Sequence, residues 1–338
     1  MQVIVDSGSA TLAVAANGCN TCAQEGVQTF YDLSHGTWTG MGARGAYGYG
    51  SWIGEAYEDD VGAGGSTSVQ MDLAAIIRDD GMFGYHICDV AANVPFEGIL
   101  GLGPDALRDR RTDSYLSRVV EQQFLPDGFG LRFCHSGGTL WLGGYDEAAA
   151  IGPMTFVTLH EEPYYEVDVS TVEVRPQVNE ATVVRVSNAA DHLPAMLDSG
   201  GPHLFLPDEA YHAVISAITA DPAFAELGDS AWWSDGITVL QTNPQAIDAS
   251  LPRLVFNFAD DADLQVSLPA TESYLSYVTR RYDGTYEYQP NLFSDSTQPA
   301  SDANLIDLGN LPMYSYVVYT DRENHRLGFA PAIPCDGE

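Results

Sequence analysis

Asp6-Ser7-Gly8 and Asp198-Ser199-Gly200 are the only two Asp-Ser/Thr-Gly triplets in the chain, one in each half. Each follows an apolar run, Val3-Ile4-Val5 in one case and Ala195-Met196-Leu197 in the other. Two carboxylates held face to face cannot both ionise cheaply, so they share one proton. Such a pair can bind a water molecule. The ionised Asp takes the water's proton as general base, while the protonated Asp polarises a carbonyl as general acid. That is amide hydrolysis without a nucleophilic side chain or a metal. Gly8 and Gly200 let the backbone turn closely behind each carboxylate. Ser7 and Ser199 can hydrogen-bond across the pair and brace it. A single Asp-Ser-Gly is an ordinary surface turn. Two copies behind apolar strands, one per half, point instead to a matched pair.

Competing chemistries lack their residues. No G-x-S-x-G elbow and no H-E-x-x-H occur, which removes the usual serine-hydrolase and zincin signatures. Gly40-Met41-Gly42-Ala43-Arg44-Gly45 matches G-x-G-x-x-G. It has neither the preceding strand nor the following helix of a dinucleotide site. Cys19 and Cys22 form a lone C-x-x-C. No second such pair completes a zinc site, so disulfides in an oxidising compartment are the better reading of the five Cys. No cofactor is expected.

The elements that must position the two Asp are strands. "VIVDSGS", "AYGYGSWIGEAY", "TLWLGGY", "YYEVDVSTVEV", "ATVVRV", "RLVFNF", "DLQVSL" and "SYVVYT" are β-branched and aromatic runs bounded by Gly, Asp or Pro. Helical signals are few. "DSYLSRVVEQQF" predicts one helix capped by Asp113 or Ser114. "PDEAYHAVISAITA" predicts another capped by Asp208, with Tyr211, Val214, Ile215 and Ile218 on one face. An apolar-Gly strand end recurs, as Ile99-Leu100-Gly101-Leu102-Gly103 and as Leu308-Gly309. The repeat implies two related β-rich lobes, each donating one Asp. The boundary is expected between Ile151 and Phe156, giving lobes 1–155 and 156–338.

Composition supports a large folded core: 338 residues, 45% hydrophobic, with 33 Gly. No apolar run is long enough to cross a bilayer, and no leader-like charged and apolar regions open the chain. Asp and Glu number 47 against 14 basic residues, all Arg, for a net charge of −33. Such a surface repels nucleic acid and anionic membranes. It fits either an acid-rich solubility strategy or work at low pH.

These residues resemble the pepsin-like aspartic proteases over nearly the whole chain. "VIVDSGSATL" and "AMLDSGGPHLFLP" resemble the two catalytic turns. "AYGYGSWIGEAYEDDV" resembles the flap hairpin, with Tyr47 as its tyrosine and Gly48, Tyr49 and Gly50 at the tip. "VPFEGILGLGPDAL", "YYEVDVSTVEV" and "LGNLPMYSYVVYTDRENHRLGFAPA" are similar to other family segments in the same order. "NGCNTC", "FGLRFCHSGGTLWLGG" and "RLGFAPAIPC" are similar to Cys-bearing plant nepenthesin-like and apicomplexan endomembrane branches. The resemblance implies an all-β, bilobal fold with a few short helices. It implies an aspartic endopeptidase whose dyad is Asp6 and Asp198, acting on extended polypeptides at acidic pH. Ser9 would donate to Asp6, Tyr47 would close over the peptide, and Phe96 and Ile99 would line an apolar pocket. A monomer in a secreted, endomembrane or vacuolar lumen is expected. Cys134 would pair with Cys335, and Cys88 with Cys19 or Cys22.

Four departures bear on activity. Only five residues precede Asp6, where the family has further strands. Both turns carry Ser where Thr is commoner. Ala13 stands where the family often has a Trp supporting the flap tyrosine, leaving Trp38 and Trp52 as candidates for that role. Gly201 replaces the usual Thr or Ser beside the second Asp. These departures keep open a rival reading: a pepsin-like binding or inhibitor protein without catalysis.

Overall fold

In a computed structural model, the described residues are 1–48, 50–65, 68–83, 96–135, 137–160, 163–178, 180–228, 233, 236–261, 264–297 and 304–335. Tyr49 and Cys88 lie outside them. Strands dominate, with a few short helices, as the composition of β-branched runs requires.

The chain divides into two compact units. The first holds Met1–Gly128 and Glu161–Tyr165. Its strands are β1 (Val3–Asp6), β2 (Leu12–Ala15), β3 (Thr37–Tyr47), β4 (Gly50–Val61), β5 (Val69–Asp80) and β6 (Gly98–Gly101). They form one sheet in the order β1-β6-β2-β5-β4-β3. The dinucleotide-like Gly40–Gly45 run is simply part of β3. A short helix, α1 (Asn20–Gln24), follows β2, and α2 (Tyr115–Gln123) closes the unit. Ser114 caps α2 by accepting from Ser117 N–H, and Tyr115, Leu116 and Val119 form its buried stripe.

The second unit holds Phe129–His160 and Glu166–Glu338. Its largest sheet is built around strand Glu166–Arg175, which pairs with Leu193–Met196 and Arg253–Phe258. The strand Gly128–Cys134 lies beside Tyr316–Asp321 in a separate five-stranded sheet. This pairing explains why the division differs from the expected boundary at 155/156: residues 129–160 belong with the far end of the chain.

Two further expectations are corrected. Helix α3 (Asp208–Thr219) has Pro207 at its N-cap, with no side-chain cap. Asp208 is the first helical residue and instead accepts from Ser294 Oγ at 2.8 Å. Its buried face is Ala210, Val214 and Ile218, with Tyr211 and Ile215 at the margin. Cys19 is bonded to Cys22, with Cα atoms 5.4 Å apart, so neither can join Cys88. The helical turn between them brings residues i and i+3 together. The expected Cys134–Cys335 bond is present, with Cα atoms 6.0 Å apart.

Candidate active site

In the first unit, β1 runs parallel to β6, with Asp6 opposite Gly101. On its other side β6 runs antiparallel to β2. The chain after Asp6 therefore leaves β1, turns through Ser7-Gly8-Ser9, and returns on the far side of β6. Gly101 is required by that crossing: a Cβ there would sit 2.4 Å from Thr11 N. Asp6 is buried. Gly8 N–H donates to its Oδ1 at 2.9 Å, and Ser9 Oγ–H donates to its Oδ2. Ser9 therefore makes the hydrogen bond to Asp6 that the resemblance implies. Tyr165, also buried, fixes the following loop by donating its hydroxyl to Leu102 O at 3.0 Å.

The second unit repeats this crossing. Strand Leu193–Met196 runs parallel to Ile306–Asp307, with Met196 opposite Asp307. Strand Leu204–Leu206 runs antiparallel to Ile306–Asp307 on its other side. Continuing that register by two residues brings Gly309 level with Asp198. Gly309 has φ of 56°, and a Cβ there would meet His203 O at 2.5 Å and Gly201 O at 2.6 Å. Both its conformation and its space demand glycine. Gly200 N–H donates to Asp198 Oδ1 at 2.8 Å, matching Gly8. Gly201 supplies no hydroxyl. Its missing Cβ would lie 3.2 Å from Asp198 Oδ2, so a side chain at 201 would face the carboxylate. Ser7 and Ser199 are both buried.

The loop after Asp198 has a brace that sequence patterning missed. Buried Asn291 bonds His203 Nδ1 at 2.7 Å and donates to Pro202 O at 3.1 Å. Burial pushes the His203 imidazole below its usual range, partly opposed by that Asn291 bond. In the sequence, Asn291 follows Pro290 and reads as plain turn material.

β3 and β4 form the expected hairpin, with Tyr47 paired to Gly50 across the tip. Gly50 has φ of 125°, and a Cβ would meet Met82 N at 2.5 Å. Of the two candidates for reaching Tyr47, Trp52 does so: its Nε1–H donates to the Tyr47 hydroxyl at 3.4 Å. The other candidate, Trp38, is exposed. Gly45, opposite Trp52, leaves room for the indole, since a Cβ there would lie 2.6 Å from Nε1. Ala13, Trp52, Phe96 and Ile99 belong to one buried cluster, and Tyr47 packs against it. Phe96 and Ile99 are 7% and 6% exposed, so both are buried in this cluster and neither lines an open pocket as expected. Burial pushes the Tyr47 phenol up to about 12. Hydrogen bonding with Trp52 and Ser9 acts the other way, and the Asp6 charge raises it further. The phenol is thus neutral, and it lies close enough to the first turn to feel the Asp6 charge.

An Asp held by a crossed-strand turn in each unit, with a tyrosine hairpin beside the first, is the signature of a protease class. The model of the eukaryotic aspartyl protease family matches residues 1–332, and the chain belongs to that family. It is 25% identical over its full length to a beta-secretase of Strongylocentrotus purpuratus, spanning 64% of that protein. It is 23% identical to pepsin-2B of Gadus morhua, over 98% of the chain and 91% of the relative. Pepsin A of Rhinolophus ferrumequinum is 25% identical, over 97% of the chain and 77% of the relative. No helix among the described residues is long and apolar enough to cross a membrane.

Proposed function

We propose that this chain is an aspartic endopeptidase that cleaves extended polypeptides at acidic pH, with Asp6 and Asp198 sharing one proton. The ionised carboxylate takes a proton from water, and the water oxygen attacks the peptide carbonyl carbon. The protonated carboxyl gives its proton to the carbonyl oxygen, forming a tetrahedral diol. Collapse returns a proton to the leaving amine and restores the pair. Ser9 holds Asp6 by its donated bond, which suits Asp6 to the base role, and Asp198 serves as the acid. Tyr47 covers the peptide and excludes water. The observation that carries this reading is the duplicated turn, in which Gly8 and Gly200 donate to the two carboxylates in the same way. The two disulfides suit an oxidising, secreted or endomembrane lumen, and the enzyme acts as a monomer. The nepenthesin-like or apicomplexan-like subtype rests on the Cys motifs alone.

Gly201 favours one rival, a binding protein without turnover. Incubating the chain with a denatured protein at pH 3–5, with and without a pepstatin-like inhibitor, separates the two. Cleavage blocked by the inhibitor supports the protease. Inhibitor binding without cleavage supports the rival.

A further inference from the structure

Away from the Asp6 turn, the first unit sets two acids side by side, each with one carboxylate oxygen buried. Asp79, the penultimate residue of β5, is 4% exposed. Its Oδ1 accepts from Met82 N–H at 3.1 Å. Its Oδ2 is buried with no donor, and so is Oε2 of Glu25 at the end of α1. Glu25 acts on Asp79 both by a side-chain hydrogen bond and by its charge. Two carboxylate oxygens closed off from water cannot satisfy each other unless one carries a proton. With one proton, a single O–H···O bond satisfies both.

The place of this pair gives it a role. Asp79 is the cross-strand partner of Trp52, the residue that donates to Tyr47. Asp79 N–H donates to Thr21 Oγ1 at 2.7 Å, tying β5 to the disulfide-closed α1 turn. The turn that Asp79 holds, Gly81–Met82, abuts the start of β4: Ser51 bridges Gly81, and a Cβ on Gly50 would lie 2.5 Å from Met82 N. We infer that Glu25 and Asp79 share a proton that locks the base of the Tyr47 hairpin, and that the hairpin loosens when this proton is lost. Calling that loosening a control on catalysis rests on the protease reading above; the lock itself does not.

No basic group offsets the pair among the described residues. On α1 only Glu25 is titratable. Ser51, Trp52 and Ile53 carry no charge, and neither do Gly81, Met82 and Phe83. Arg78 and Asp80 flank Asp79 but are exposed. Tyr47, on the same cluster, is neutral well above the relevant range. Burial first, then Glu25, pushes Asp79 up to about 7. A carboxyl raised in the fold binds its proton more tightly there than in the unfolded chain. Its stabilising effect is full below the ordinary carboxylate range and is lost as pH rises through about 7.

The test is hydrogen exchange, expressed as protection factors at pH 4.5 and pH 7.5, on wild type, Asp79→Asn and Glu25→Gln. In wild type, amides of 45–55 and 79–83 should lose protection at least tenfold between the two pH values. Strand Arg253–Phe258 of the second unit is the internal control and should change less. In either amide variant, the neutral side chain keeps a donor at all pH values, so hairpin protection should become flat with pH. Wild-type protection that is already flat overturns the inference, as does an unaltered loss in both folded variants. If only one variant folds, it decides. If neither folds, carbon-13 titration of the Asp79 carboxyl in wild type decides: ionisation complete by pH 5 overturns the lock. None of these readouts uses peptide cleavage, so an inactive but pH-locked chain would refute the protease reading alone.

Discussion

Around Asp6, the Gly8 N–H and the Ser9 hydroxyl both donate to the carboxylate. Around Asp198, the Gly200 N–H plays the first part, while position 201 has no hydroxyl to play the second. The backbone of the two turns is otherwise alike. Each Asp strand runs parallel to a short strand whose other edge pairs antiparallel with the returning chain. Each crossing needs a glycine, Gly101 or Gly309, where a Cβ would strike main chain. The crossing is a steric necessity and so appears twice. The hydroxyl is an electrostatic choice, and the two turns choose differently.

The largest effects should come from what the turns share. Asp6→Asn and Asp198→Asn should each lower turnover by roughly a thousandfold or more, because under the proposed mechanism the two carboxylates act as one unit whose parts fail together. Circular dichroism should show both variants folded. Near-full turnover in either would break the equivalence of the turns. Next in size are the crossing glycines. Gly101→Ala forces main chain apart, costing about 1–3 kcal/mol as overpacking does. Gly309→Ala should cost about 1–2 kcal/mol more, since it adds a left-handed residue. Denaturant titration of each variant checks the order, and a milder Gly309→Ala would mean that the second crossing yields.

Much of this was legible in the sequence because it is local. The Asp-Ser-Gly turns, the Tyr47 hairpin and a helix cap at Asp113 or Ser114 are each written within a dozen residues. Trp52 stood among two candidates for the Tyr47 partner, five residues away. What patterning missed depends on pairing across long stretches of chain. Strand Gly128–Cys134 reads as any β run, and nothing in it says that its neighbour is Tyr316–Asp321. That unseen pairing moves residues 129–160 out of the first unit. Asn291 and Glu25 look like surface turn residues until folding buries their polar atoms against partners elsewhere in the chain. Cys19–Cys22 shows the opposite error, a local bond passed over for a distant one.

Smaller effects separate the turns. Ser9→Ala removes a donor to a carboxylate, worth about 1.5–3 kcal/mol. Turnover should fall roughly tenfold to a hundredfold at the pH optimum, while thermal stability changes much less. Trp52→Phe removes one long hydrogen bond to Tyr47 and keeps an aromatic ring in the cluster, a loss of about 0.5–1.5 kcal/mol. It should cost a few-fold in kcat with nearly unchanged melting. A loss of melting temperature in step with kcat would reduce Trp52 to a packing residue.

The smallest change is the sharpest test of the difference. Gly201 does not have a left-handed backbone, and the nearest atom to its missing Cβ is Asp198 Oδ2 at 3.2 Å. Serine there fits the backbone, and its hydroxyl would face the oxygen equivalent to the one Ser9 holds on Asp6. A donor favours the ionised carboxylate over the protonated one. Gly201→Ser should therefore make the pair release its shared proton at lower pH. The alkaline limb of the kcat/KM profile should move down by up to about 1 unit, the equivalent of about 1.4 kcal/mol. The acid limb reports the first proton lost and should move less, because Ser9 already serves Asp6. This shift runs opposite to what relief of strain or general stabilisation would give, since a stabler enzyme would extend activity upward. An alkaline limb that stays in place in a folded, active Gly201→Ser enzyme would mean that the missing hydroxyl is not what distinguishes the two turns, and the assignment of Asp198 as acid and Asp6 as base would fall with it.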